Sequence, residues 1–91
     1  MKQYLTKQQT EELIKLGMPL PDSIGELIEM LPKSINNIDE KNYLNIFFAR
    51  NYWHIVYLNH HTNYEFRRVS GQELIDALYK MVVKLKEDCI L

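Results

Sequence analysis

The chain has 91 residues, 46% of them hydrophobic and 25% charged, with 11 lysines and arginines against 12 aspartates and glutamates. That suffices for one α+β-sized domain, residues 1–91, and excludes a disordered chain or one carrying the basic excess of a phosphate-seeking protein. A single cysteine, Cys89, excludes an internal disulfide, no apolar run is long enough to cross a membrane, and the N-terminus lacks the apolar core of a signal peptide. A cytoplasmic protein without membrane contact is the expectation.

The first helix is predicted to start at Thr6, because Thr6 and Gln9 have the spacing of a capping box. Leu13, Ile14 and Leu16 give it an apolar side, and Gly17 can end it in a left-handed cap. A second short helix follows. Ser23 and Glu26 repeat the box, and Ile24, Leu27, Ile28 and Leu31 fall on one face before Pro32 stops the helix. Residues 33–42 are polar, with Asn36, Asn37 and Asp39, and read as a loop.

From Tyr43 the period becomes two. The runs from Tyr43 to Ala49, Tyr52 to Leu58 and Asn63 to Val69 are rich in aromatic and β-branched residues, as strands are. Arg50-Asn51 and the segment Asn59 to Thr62 separate them at hairpin spacing. A third box, Ser70 to Glu73, precedes a helix striped by Leu74, Leu78, Met81, Val82 and Leu85. The order α-α-β-β-β-α implies a two-layer α+β fold, with helices on one face of a three-stranded antiparallel meander.

A hairpin closed by Arg50-Asn51 sets Phe48 opposite Trp53, Ile46 opposite Ile55 and Leu44 opposite Tyr57. One closed by Asn59 to Thr62 sets Tyr57 opposite Tyr64, Ile55 opposite Phe66 and Trp53 opposite Arg68. All but Arg68 form the expected core face. The opposite face collects Tyr43, Asn45, Phe47, His54, Val56, Leu58, Asn63, Glu65 and Arg67. It is too apolar to ignore partners and too polar to be a second core. Tyr43, Phe47, His54, Val56, Leu58, Glu65 and Arg67 are therefore the candidate partner surface.

Catalysis and cofactors find no support. His54 and His60 lie about six strand residues apart, too far to share an ion at about 3.3 Å per residue. His60 and His61 alone fall short of the ligand count a zinc centre takes. Ser23 and Ser70 are accounted for as helix caps, Glu87 and Asp88 precede Cys89, and no glycine-rich phosphate loop occurs. Glu65, His54 and Arg67 can form an ion-pair network on the sheet; an acid–base site would also need a cleft. The expectation is a small non-enzymatic protein without cofactor or metal. It would bind a partner or a second copy through the mixed face. The alternative is weak nucleic-acid binding by the same face. The α-βββ-α part of the order is similar to the double-stranded-RNA-binding fold, whose last helix opens on phosphate-binding lysines. Here that position runs from Ser70 to Asp76 with Glu73 in it.

Three blocks, LTKQQTEELIKLG from Leu5, IGELIEMLPKSI from Ile24 and ELIDALYKMVV from Glu73, resemble a family of small uncharacterised proteins of Bacteroides-type gut bacteria and their prophage and mobile elements. Members often carry a longer insert between the first two blocks, which this chain lacks. The resemblance implies a shared fold and a cytoplasmic, mobile-element setting. It implies no catalytic residues.

Overall fold

The computed structural model describes residues 4–21, 23–37 and 40–91. Its elements run α1 (Lys7–Lys15), α2 (Ile24–Met30), β1 (Ser34–Asn37), β2 (Glu40–Ala49), β3 (Tyr52–Leu58), β4 (Glu65–Gly71) and α3 (Leu74–Glu87). The strands form one antiparallel sheet in chain order, β1-β2-β3-β4. The fold is thus α+β with four strands rather than three. The stretch expected to be a loop, residues 33–42, supplies β1 and the first residues of β2, with Ser34 paired to Tyr43 and Ile35 to Asn42. Asp39 lies outside the described residues. Four residues with one apolar side chain are too short to show a period of two, which is why β1 is silent in the sequence.

Helix ends follow the expected chemistry at two of three starts. Thr6 Oγ1 accepts from the Gln9 amide at 3.1 Å, and Gln9 Oε1 accepts from the Thr6 amide at 2.8 Å. Ser23 Oγ accepts from the Glu26 amide at 3.2 Å. The third box does not form. Ser70 and Gly71 close β4 instead, and α3 starts after Glu73, which makes no side-chain cap bond. Gly71 sits so tightly against α3 that a Cβ would meet the Ala77 nitrogen at 3.3 Å.

Helices α1 and α3 both end in a Schellman turn, with amide bonds from Gly17 to Ile14 and Met18 to Leu13, and from Cys89 to Lys86 and Ile90 to Leu85. Gly17 takes the left-handed residue in the first, at φ 73°; Cys89 takes it in the second, at φ 60°. A side chain there costs about 1 kcal/mol relative to glycine. Cys89→Gly is expected to raise stability by about 0.5–1 kcal/mol, read as a higher urea midpoint at unchanged slope.

Helix α3 packs on β3 and β4, and α2 packs on α3. Leu13, Leu27, Ile55, Tyr57, Ile75, Leu78, Met81, Val82 and Leu85 are buried between the layers. Tyr57 ties the layers together, donating its hydroxyl to the Pro32 carbonyl at 2.7 Å. The first hairpin register is as expected, with Leu44 opposite Tyr57, Ile46 opposite Ile55 and Phe48 opposite Trp53. Its two turn residues, Arg50 and Asn51, both have positive φ (54° and 67°), the geometry that matches strand twist. Phe48 keeps the expected face but is 56% exposed, its ring tilted against Trp53 at 5.3 Å. Tyr64, also expected in the core, is exposed in the β3–β4 loop.

Candidate functional site

The face of the sheet turned away from the core cluster is where the candidate residues meet. β2 and β3 place Tyr43 opposite Leu58, Asn45 opposite Val56 and Phe47 opposite His54. The β3–β4 register departs from expectation for two separable reasons. The loop closes between Asn59 and Tyr64, whose amide and carbonyl bond at 2.9 Å, instead of around Asn59 to Thr62. The Asn59 side chain holds this shifted loop by accepting from the His61 and Thr62 amides at 2.9 and 3.0 Å, and Asn63 takes a left-handed φ of 59°. This moves the pairing by two residues and leaves Glu65 with Leu58 on the open face.

A bulge then adds one residue, so Tyr57 pairs with Arg67 and Val56 with Arg68. Every β4 side chain from Arg67 onward therefore lies on the face opposite to the expected one. Arg67 is therefore not on the partner surface. Its Nε donates to Asp88 Oδ2 at 2.7 Å at the end of α3, and its guanidinium lies 4.3 Å from the Phe66 ring. Arg68 takes the place assigned to it. An adjacent arginine pair must present one member to each face, so the sequence does hold one such arginine; only the bulge decides which.

Arg68 organises the face. Its Nη1 donates to both oxygens of Glu65, at 2.8 and 2.9 Å, and its Nη2 contacts His54 Nδ1 at 3.0 Å. Guanidinium can only donate, so His54 Nδ1 accepts and the imidazole donates from Nε2 to the Ala49 carbonyl at 3.0 Å. Both ring nitrogens are thereby engaged. The His54 ring stacks on Phe47 at 5.1 Å and 19°, and the Arg68 guanidinium lies 6.0 Å from the same ring. Val56, only 3% exposed, is buried without belonging to the core cluster. It is a floor of the patch and not part of its accessible surface.

This assignment makes a direct prediction. The uncharged His54 ring should be the Nε2–H tautomer, and Arg68→Ala should relax it toward a mixture. Long-range 15N–1H correlation of the imidazole reads both, and an Nδ1–H form in the native protein would contradict it.

Toward the other end of the face, His60 stacks on Tyr43 at 4.9 Å, and Lys41 Nζ lies 5.5 Å from the Tyr43 ring. These groups border a shallow hollow of about 280 Å³ that also takes in Asn59, His61 and Thr62. Among the described residues no group of three or more His, Cys, Asp or Glu lies together as a metal ion would need. The expected network of Glu65, His54 and Arg67 forms with Arg68 in the place of Arg67, and His54 is joined to Glu65 through it.

No known family matches the chain, and neither does any curated protein or solved structure. Among the described residues no helix is long and apolar enough to cross a membrane.

Proposed function

We propose that this is a small non-enzymatic interaction protein that associates with a second copy of itself through the open sheet face. The observation that carries the reading is the exposure of Tyr43 (39%) and Phe47 (41%) on a face that no described helix packs against. The molecule is a slab of 39 × 31 × 17 Å, so its two broad faces hold most of its surface. A standard interface takes about 800 Å² from each partner, roughly a seventh of the 5944 Å² available here. The helix side exposes Glu11, Glu12, Lys15, Lys84 and Glu87, charges of the kind depleted at interface centres. On the sheet side Glu65 and Arg68 neutralise each other, so like-charge repulsion between copies is small. The cytoplasm and a mobile-element setting, implied by the family resemblance, complete this reading.

Size-exclusion chromatography with light scattering tests it. The expected mass is twice the 10.9 kDa of the chain, with dissociation on dilution. A monomer at every concentration sinks the self-association. The rival, nucleic-acid binding by the same face, has exposed rings in its favour but the Arg68 charge already spent on Glu65. Labelled DNA and RNA at low salt should therefore show no salt-dependent binding.

A further inference from the structure

Strand β2 is longer than its outer neighbour. β1 pairs with it only from Glu40 to Tyr43, and the last contact beyond that is the Leu44 amide donating to the Lys33 carbonyl at 3.0 Å. Before β1 the chain lies against the core side, where the Pro32 carbonyl accepts from the Tyr57 hydroxyl. Backbone groups in an antiparallel strand alternate between its two edges. Since Leu44 bonds toward β1, Ile46 and Phe48 turn their N–H and C=O groups the same way, past the end of β1. No described strand pairs with that edge from Asn45 to Ala49.

Three features say what the edge accepts. Unpaired peptide groups in line are matched by another extended backbone. Phe47 rises on one face of the strand and Phe48 on the other, both exposed, so the incoming strand meets an aromatic ring on each side. Lys33 and Arg50 mark the two ends, both exposed, and among the described residues neither is in an ion pair. Six residues separate Leu44, which Lys33 faces, from Arg50, about 20 Å at strand rise. A second copy of β2 laid antiparallel and centred on Phe47 would bring its own Arg50 against Lys33, cation on cation.

We infer that the free edge of β2 binds an extended peptide segment of a partner protein by strand addition. That segment alternates apolar side chains and carries carboxylates five or six residues apart, to meet Lys33 and Arg50. This site is an edge: it shares the Phe47 ring with the face through which copies associate, but the peptide groups of Ile46 and Phe48 that it uses lie outside that face.

The test uses the full chain, 15N-labelled, with a blocked peptide Glu-Thr-Val-Tyr-Val-Thr-Glu and a twin with lysine at both ends. The acidic peptide is expected to slow amide exchange at Ile46 and Phe48 saturably, and the lysine twin to bind about tenfold more weakly, since two attractions become repulsions. The double variant Lys33→Glu, Arg50→Asp should invert the preference. No protection by the acidic peptide overturns the inference, and so does equal binding of both peptides. Concentration-dependent protection of these amides without peptide also overturns it, because the edge is then a seam between copies. A chain that stays monomeric yet binds the acidic peptide removes the face dimer and leaves the edge site standing.

Discussion

Tyr57→Ala is expected to remove about 3–5 kcal/mol, a large part of the roughly 5–14 kcal/mol a domain of this size commands. Tyr57 is the largest of the fully buried side chains, held between β2, β4 and the helix layer, and its loss leaves a cavity at the centre of the sheet. Tyr57→Phe keeps the ring and strands the Pro32 carbonyl, at about 1 kcal/mol. The two variants thus separate packing from hydrogen bonding.

The same residue sets the alkaline limit. Burial pushes the Tyr57 phenol well above its ordinary value. Tyr79 is also raised, by burial first and then by Glu12 and Glu87. The folded chain therefore keeps protons that the unfolded chain releases above about pH 10. Their contribution is complete below that pH. It is lost as pH rises through the folded-state values, at up to about 1.4 kcal/mol per unit per group. Urea midpoints taken across this range should fall, and Tyr57→Phe should flatten the fall. An unchanged slope in that variant would show that Tyr57 ionises alike in both states.

Asn42→Asp is the second large effect, about 3–5 kcal/mol at neutral pH. Asn42 is fully buried and donates Nδ2 to the Ile35 carbonyl at 3.1 Å, and its Oδ1 has no hydrogen-bond partner among the described residues. A carboxylate there would lose the donor and bury a charge beside an unanswered oxygen. Its folded-state acidity would be weakened, so the variant should be most stable below about pH 4 and lose stability as pH rises. Asn42→Leu removes the unsatisfied oxygen but also deprives the Ile35 carbonyl of this donor, and is expected to cost about 1 kcal/mol at either pH. Paired denaturation curves at acid and neutral pH check all three chains, and a pH-independent loss in Asn42→Asp would contradict the account.

The parts of this fold legible in the sequence are those with local physical signatures. Thr6 with Gln9, the left-handed Gly17, the stripe through Leu78, Met81 and Leu85, and the Arg50-Asn51 hairpin each depend on neighbours a few residues away. β1 was hidden because Ser34 to Asn37 is polar and short, and its partner β2 supplies the order it lacks. The bulge was hidden for a different reason. Nothing near Phe66 marks the extra residue, and the loop held by the Asn59 side chain depends on which amides that oxygen reaches. So the face itself, with Tyr43, Phe47, His54, Val56, Leu58 and Glu65, could be read from alternation, whereas its arginine could not. Arg67 and Arg68 differ only in where one added residue falls. Exposure also needs the third dimension: Phe48 has the right parity for the core but stands where its ring stays mostly exposed.

Sedimentation equilibrium of three chains tests the central claim most directly: wild type, Phe47→Asp on the open face, and Ile14→Asp on the exposed side of α1. The account predicts a dimer for the wild type and for Ile14→Asp, and a monomer for Phe47→Asp. A wild type that is monomeric throughout, or a dimer that Phe47→Asp leaves intact, would contradict it.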